Sequence, residues 1–234
     1  MTKTKLMRFR KNYKRVSRFN KGKVSGIARD GFVSYYFNRR ISAVFTSLLI
    51  DKEVTPNQIS IFIFVLGIFT CVPLYLSGNF FVAGLMVWII SILDGVDGEI
   101  ARTKGIGTKT GKFVDSFLDR LFDIAIIFSI ALSVSLLTES VIPWIFAFIA
   151  FLGLLLDNYV VELYGNRISM NIISKARIEI AKKVRFWPHR DVFLFIISIA
   201  SFANVPEIGL LIAGTLTGAF SIARILIVLK RYKY

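Results

Sequence analysis

Long apolar runs separated by short polar segments dominate the chain from residue 57 onward. Residues 58–77 contain no charged side chain, and neither do residues 80–93 or 124–138. A helix needs about 20 apolar residues to cross a hydrocarbon layer about 30 Å thick. The pattern predicts an all-α integral membrane protein with six spans, at roughly 57–77, 79–101, 112–137, 141–164, 191–204 and 207–229. The fifth predicted span is the shortest.

The segment before the first span has a different pattern. Between residues 31 and 50, apolar side chains recur at helical spacing and form a stripe: Phe32, Tyr36, Ile41, Phe45 and Leu48. This predicts an amphipathic helix within residues 30–54 that lies in the membrane interface. Thr55 and Pro56 are typical of a helix start and should begin the first span. Residues 1–29 are polar and basic, which predicts a mobile tail.

Charge adds an orientation to this arrangement. The net charge is +15 and the mean hydropathy is +0.63. Fourteen of the 30 Lys and Arg residues lie in residues 1–54, and seven lie in the loop at 165–190. The connections SGN, TES and ANVPEIG contain none. Because Lys and Arg mark cytoplasmic loops, both termini, the 165–190 loop and the region around 102–112 are predicted to be cytoplasmic. The basic tail should contact anionic lipid, and nucleic acid is not an expected partner because no nucleic-acid-binding module is recognisable.

Four aspartates interrupt this apolar chain where the second span ends and the third begins. Asp94 and Asp97 share one helix face, and Asp115 and Asp119 are spaced by four on the next helix. A short loop makes the two helices antiparallel neighbours, so we expect the acidic faces to meet. Carboxylates in low dielectric require a cation, and this set is typical of Mg²⁺ or Mn²⁺, with room for two ions. Such a site suits phosphoryl chemistry.

Simpler explanations account for only some of these acids. Asp-Gly pairs are ordinary turn signals, and an EF-hand loop is excluded by the spacing. Salt bridges with Arg102 or Arg120 would account for some of the acids but not for four on two facing stripes. Asp123 extends the stripe of the third span and is a candidate to hold the metal ligands in place without binding the ion itself.

The motif D-x-x-D-G-x-x-A-R, eight residues, G-x-x-x-D-x-x-x-D resembles the signature of the CDP-alcohol phosphotransferases. The resemblance implies transfer of a phosphoalcohol group from a CDP-alcohol to an acceptor hydroxyl, with release of CMP. It also implies a homodimer and a cytoplasmic site. Asp94, Asp97, Asp115 and Asp119 would be metal ligands, and Asp119 would also be the general base. The pocket for the cytidine and diphosphate would be lined by Gly98, Ala101, Arg102 and Gly111.

The sequence indicates less clearly which residues would bind the other parts of the substrates. Asn57, next to Pro56, is expected to reach the nucleotide from the first span. The run SKARIE is similar to a stretch in family members that use inositol phosphate, so Lys175 and Arg177 would hold the acceptor phosphate, with Arg224 as a third candidate. Ile172 replaces a serine of that pattern. Alternatively, Lys175 and Arg177 only follow the topology rule.

The segments RDGFVSYYFNRRIS, TPNQIS and ILDGVDGEIAR are similar in sequence to those of one subgroup of the family, the di-myo-inositol phosphate phosphate synthases. This implies CDP-inositol and inositol 1-phosphate as substrates. The alternative is a phospholipid synthase that uses CDP-diacylglycerol or CDP-archaeol with inositol phosphate or glycerol phosphate.

Two other classes also place acids in membranes. A prenyltransferase with an Asp-rich Mg²⁺ site would release pyrophosphate and usually needs more spans. A transporter would commonly be built from repeats, whereas this motif occurs once. Release of CMP by protein in detergent would exclude both.

Overall fold

The computed structural model describes residues 3–19, 31–167 and 190–231, and all the regular secondary structure within them is helical, as the sequence predicts. A π-helical turn, Ser34–Asn38, precedes the second helix. In chain order the helices are α1 Lys3–Phe19, α2 Arg39–Leu49, α3 Pro56–Leu76, α4 Phe80–Leu93, α5 Gly95–Lys104, α6 Lys109–Thr138, α7 Ile142–Arg167, α8 Arg190–Phe202 and α9 Pro206–Arg231.

Five stretches of the described residues are long and apolar enough to cross a membrane. They are Pro56–Leu76, Phe80–Lys104, Lys109–Thr138, Ile142–Tyr159 and Pro206–Ala223, which correspond to the first four predicted spans and the sixth. The fifth predicted span is α8. Its 13 residues rise only about 20 Å, less than a hydrocarbon layer of about 30 Å. The count of six spans therefore stays a prediction.

Local sequence signals delimit the helices that carry the acids. Thr55 caps α3 in a capping box with Gln58, and Pro56 is the first residue of the helix, as predicted. α5 ends at Gly105, whose φ of +72° is a conformation that glycine adopts without strain. Thr108 then caps α6 by accepting a hydrogen bond of 2.9 Å from the Gly111 N–H. The chain thus reverses direction within a few residues, and α3 packs against both α5 and α6.

The basic N-terminal segment differs from the prediction of a mobile tail, because residues 3–19 form α1 and this helix is docked on the bundle. Val16 is buried together with Ala43 of α2. The Asn12 amide donates to an Asp51 carboxylate oxygen at 2.8 Å, and Arg15 donates to the Thr103 carbonyl at 2.9 Å. The packed face carries Phe9, Tyr13 and Val16 at helical spacing, a short apolar stripe that the prediction of a mobile tail overlooked. Residues 20–30 lie outside the described residues.

The predicted interfacial helix has its polar side turned inward. Buried Glu99 of α5 accepts hydrogen bonds from the hydroxyls of Ser42 at 2.8 Å and Thr46 at 2.6 Å. Phe45 and Leu48, on the other side of α2, are exposed. An outward apolar face combined with an inward polar face matches a helix beside lipid rather than water. Its position in the membrane interface stays a prediction.

Two helices of the bundle approach each other through glycines. A Cβ added at Gly153 of α7 would collide with the backbone of Gly214 of α9, and one added at Gly214 would collide with the backbone of Ala150. Small residues allow membrane helices to pack backbone against backbone. This crossing holds α7 and α9 together behind the acidic site.

Candidate active site

The acidic residues lie at the junction of the consecutive helices α4 and α5 and in the first half of α6. Asp94 lies at the turn where α4 ends and α5 begins, and Asp97 follows in the first turn of α5. Asp115 and Asp119 are one helical turn apart on α6. Asp94 keeps helical backbone dihedrals and its N–H donates to the Ile90 carbonyl at 2.9 Å, so α4 and α5 together form the second span, Phe80–Lys104.

Three of the four predicted metal ligands form a compact group, called the acidic cluster below. Ligand oxygens of Asp94, Asp115 and Asp119 all lie within 4.8 Å of one another, and each side chain is half-buried. Three carboxylates at this spacing provide the hard oxygen donors that Mg²⁺ and Mn²⁺ prefer. The residues present therefore suit a divalent cation.

Asp97 lies beside this group rather than within it. Its side chain is buried and accepts hydrogen bonds from the Ser60 hydroxyl of α3 and from the Gly98 backbone N–H. It also lies within hydrogen-bond reach of Asp115. Asp97 thus joins α3, α5 and α6 at the base of the acidic cluster, and its role as a direct metal ligand stays a prediction.

Arg190, which sequence reasoning did not single out, lies in the acidic cluster. Its Nη1 is 3.2 Å from Asp94 Oδ2 and 3.0 Å from Asp119 Oδ1, and its Nε donates to Asp123 Oδ1 at 2.8 Å. The guanidinium also lies over the ring of Phe122, with 5.9 Å between Cζ and the ring centroid. One arginine at the start of α8 therefore bridges α4 and α6.

Asp123 is the buried partner in this arrangement. Its side chain is 1% exposed and is held by Arg190 and, at 2.8 Å, by Arg120 one turn earlier on α6. Two guanidinium groups thus compensate the desolvation of this buried carboxylate. Asp123 holds Arg190, which in turn contacts Asp119, and its role in supporting a metal site stays a prediction.

The residues predicted to line the nucleotide pocket lie at the end of the bundle that carries the acidic cluster. The Arg102 side chain folds over Gly98, where an added Cβ would come 3.1 Å from Nη1. Gly111 lies against Asn57 of α3, since a Cβ at 111 would come 2.9 Å from the amide oxygen. Ala101 faces the loop after α5. The side chains of Asn57 and Arg102 therefore lie directly against the backbone of Gly111 and Gly98.

The acceptor residues proposed from sequence are not brought together here. Lys175 and Arg177 lie outside the described residues, and Arg224 is described only as part of the backbone of α9. A cavity of about 360 Å³ nevertheless opens beside the acidic cluster. Its lining is mainly polar and includes Ser34, Asn38, Asp94, Asp119, Asp157, Asn158, Arg190 and Asp191. A phosphorylated, hydroxyl-rich molecule has the chemistry to occupy it.

Comparison with known protein families matches residues 53–228 to the CDP-alcohol phosphatidyltransferase family. A bifunctional IPC transferase and DIPP synthase of Aquifex aeolicus is 38% identical over 58% of this chain and 30% of its own length. A protein of the same name from Thermococcus kodakarensis is 41% identical over 57% of this chain and 29% of its length. The chain thus matches under a third of the length of these relatives. An archaetidylinositol phosphate synthase of Pyrococcus horikoshii is 31% identical over 76% of this chain and 85% of its own.

Solved structures share the fold. The crystal structure of Mycobacterium tuberculosis phosphatidylinositol phosphate synthase with CDP-DAG bound superposes with a TM-score of 0.64 at 18% identity, covering 81% of this chain and 94% of that one. The same protein in complex with manganese and citrate gives a TM-score of 0.59 at 16% identity, covering 80% and 88%. At these identities the likeness is one of fold.

Proposed function

Because the chain belongs to the CDP-alcohol phosphatidyltransferase family, we propose that its acidic cluster transfers a phosphoalcohol group from a CDP-alcohol to an acceptor hydroxyl. The bond between the acceptor oxygen and the β-phosphorus forms, the bond from that phosphorus to CMP breaks, and the hydroxyl proton passes to a carboxylate. The convergence of Asp94, Asp115 and Asp119 within 4.8 Å carries this proposal. These carboxylates lie beside the small residues of the nucleotide motif and beside a polar cavity.

Asp94, Asp97, Asp115 and Asp119 are the residues that would hold Mg²⁺ or Mn²⁺, with one or two ions. When bound, the metal supplies positive charge to the diphosphate and to the leaving phosphate of CMP. Asp94 and Asp119 also line the cavity assigned to the acceptor, while Asp115 lies nearer the buried side. The donor and acceptor would therefore meet at Asp94 and Asp119.

Asp119 is the proposed general base. It lines the polar cavity, and Arg190 orients its carboxylate from 3.0 Å. A base must lie within hydrogen-bond reach of the proton that it accepts, and an acceptor in this cavity would meet that condition. Arg190 lines the same cavity and would offer its charge to an acceptor phosphate. Lys175, Arg177 and Arg224 are proposed to complete that phosphate site.

Gly98, Ala101, Arg102, Gly111 and Asn57 are proposed to bind the CDP moiety. The contact of Gly111 with Asn57 and the position of Arg102 over Gly98 support this assignment. Backbone close to a glycine can approach a phosphate more nearly than backbone that carries a side chain, and Arg102 adds a fixed charge.

CDP-inositol and inositol 1-phosphate are the substrates proposed first. The relatives named DIPP synthases, at 38% and 41% identity, support this choice. A phospholipid synthase that uses a CDP-lipid is the second candidate. It is favoured by the archaetidylinositol phosphate synthase, which aligns over 85% of its own length.

Membrane topology and oligomeric state complete the proposal. We propose six spans, both termini and the active site on the cytoplasmic side, and a homodimer. The concentration of Lys and Arg in residues 1–54 supports the orientation.

The experiment that tests the function is CMP release by the purified chain with Mg²⁺ or Mn²⁺. CDP-inositol and a CDP-lipid are each offered with inositol 1-phosphate and with glycerol 3-phosphate. Turnover with CDP-inositol supports the soluble phosphodiester product, turnover with only the lipid donor supports a phospholipid synthase, and no CMP from any pair contradicts the proposal.

Asp119→Asn should abolish turnover while the fold is retained. Glu207→Gln, in the first turn of α9, is the matched control and should keep full activity.

A further inference from the structure

A second cavity lies between α1 and the start of α2, apart from the acidic cluster. Its volume is about 240 Å³, and it is called the α1–α2 crevice below. Hydroxyl, phenol and guanidinium groups line it: Tyr13, Ser17, Tyr35, Tyr36, Arg39 and Arg40, with Ala43 at the base. None of these residues falls within the matched family region, 53–228. Arg39 also lines the polar cavity beside the acidic cluster, so the two cavities meet at this residue.

The charge around the crevice has one sign. α1 contains eight Lys or Arg residues among 17 and no acidic residue. Arg8 pairs with Asp51, and Arg15 donates to the Thr103 carbonyl, so these two hold the helix in place. Arg10, Lys11 and Lys14 are exposed. A rigidly docked basic helix beside a cavity attracts an anion.

The other side of the crevice is apolar. Phe37, Ile41, Val44, Phe45 and Leu48 are all exposed and follow one face of the helix next to Arg40. Tyr36 is also exposed and stacks edge-on against Tyr35, with ring centroids 5.1 Å apart. Aromatic and basic side chains beside an apolar face are the composition that binds membrane surfaces containing anionic lipid.

We propose that the α1–α2 crevice binds the phosphate headgroup of an anionic bilayer lipid, with the acyl chains of that lipid along the exposed apolar face of α2. The exposed Arg40 guanidinium contacts the phosphate, and the Tyr13, Tyr35 and Tyr36 phenols are available to donate to its oxygens. The bound lipid is not a substrate, because the crevice contains none of the four motif aspartates. Arg40 and α1 thus anchor the part of the chain that packs on α5.

The test measures binding of a fluorescent phosphatidylglycerol to the purified full chain in neutral detergent, with Mg²⁺ present so that the candidate nucleotide site can bind CDP. Excess CDP occupies the candidate nucleotide site and should leave this binding unchanged. Arg40→Gln should weaken binding about fivefold, the factor that one basic residue contributes at an anionic surface. Arg40→Lys should retain most of the affinity. Lys52→Gln removes an exposed charge outside the crevice and is the matched control, with affinity unchanged.

Competition distinguishes the headgroup from its separate parts. Unlabelled phosphatidylglycerol should displace the probe, while phosphatidylcholine and inorganic phosphate at the same concentrations should not. Displacement by CDP would place the lipid in the candidate active site and overturn the proposal. Equal affinities of Arg40→Gln and Lys52→Gln would also overturn it, provided that both variants melt at the wild-type temperature without lipid.

Discussion

Arg190 Nη1 lies 3.0 Å from Asp119 Oδ1, although the two residues belong to different helices and are 71 positions apart in the chain. The same guanidinium contacts Asp94 and Asp123. It therefore connects the proposed base, a proposed metal ligand and a buried carboxylate with one planar group. Its five N–H donors make this possible, and a lysine ammonium lacks the fork geometry.

Replacing Arg190 with glutamine should reduce both turnover and stability. Turnover should fall about 100-fold or more, as when a fixed donor is removed from an active site. The free energy of unfolding should fall by roughly 3–5 kcal/mol, because buried Asp123 loses one of its two partners. CMP release and thermal melting in detergent measure the two effects.

Two further variants of this network serve as controls. Arg190→Lys keeps the charge and should be intermediate in both measurements. Arg120→Gln leaves Arg190 on Asp123, and because the Arg120 side chain is 33% exposed, it should be the milder change in stability. Wild-type turnover in Arg190→Gln would remove Arg190 from the proposed site.

Mn²⁺ binding should depend on the acidic cluster even without substrate. Asp94→Asn and Asp115→Asn should each weaken Mn²⁺ binding by about 100-fold or more, since losing an outer partner alone weakens metal sites by roughly 10–100-fold. The electron paramagnetic resonance signal of free Mn²⁺ during titration gives the affinity. Glu207→Gln should bind as wild type does. Unchanged affinity in both aspartate variants would contradict a metal site at this cluster.

The sequence predicted the acidic cluster because its information is local. Asp115 and Asp119 are spaced by one helical turn, and the loop after Lys104 is too short for anything but a reversal, so α5 and α6 had to present their acids to one end of the bundle. Arg190 could not be found in this way. It closes a segment whose seven Lys and Arg also satisfy the topology rule, and only the packing of α8 shows that Arg190 enters the site.

Two features of the fold depend on contacts between residues far apart in the chain. Tyr13 and Val16 lie on the face of α1 that packs against Ala43 and Ile50, and the contacts of Asn12 and Arg15 fix where α1 docks. Arg39 of α2 donates to the Gly95 carbonyl at 2.8 Å and so joins α2 to the junction of α4 and α5. Neither contact can be derived from spacing along the chain.

Docking of α1 should weaken at low pH through Asp51. The Asn12 amide is the main cause that lowers the pKa of this carboxyl below its ordinary value, and the Arg8 guanidinium adds to the effect. A carboxyl whose pKa is lowered by folding stabilises the docked state above its ordinary pKa of 3.8, and the contribution is lost as pH falls through the lower folded value. The docked position of α1 should therefore become less stable below about pH 4.

A pair of fluorophores on Lys11→Cys and Lys52→Cys, in a Cys71→Ala background, would report this weaker docking as a loss of energy transfer. Asp51→Asn removes the titrating group, so this variant should show weaker transfer at pH 7 and no transition at acidic pH. A transition of the same size in Asp51→Asn would assign the pH dependence to another group.

At the glycine crossing between α7 and α9, the same Gly→Ala substitution should have different effects on stability at two positions one turn apart. At Gly214 an added Cβ would collide with the Ala150 backbone, which cannot yield without separating the helices. At Gly218 the nearest atom would be the Gly153 Cα at 3.7 Å, an ordinary contact. Gly214→Ala should therefore lower the free energy of unfolding by about 1–3 kcal/mol, the usual effect of overpacking.

Gly218→Ala is the matched control, and it should leave stability unchanged or raise it by up to about 1 kcal/mol, because alanine favours the helical state over glycine. Thermal melting of both variants in one detergent measures the difference, and CMP release shows whether the crossing also supports the site. If Gly214→Ala melted at or above the temperature of Gly218→Ala, α7 and α9 would not meet through these glycines. The position of Asp157 and Asn158, which line the acceptor cavity from α7, would then need a different support.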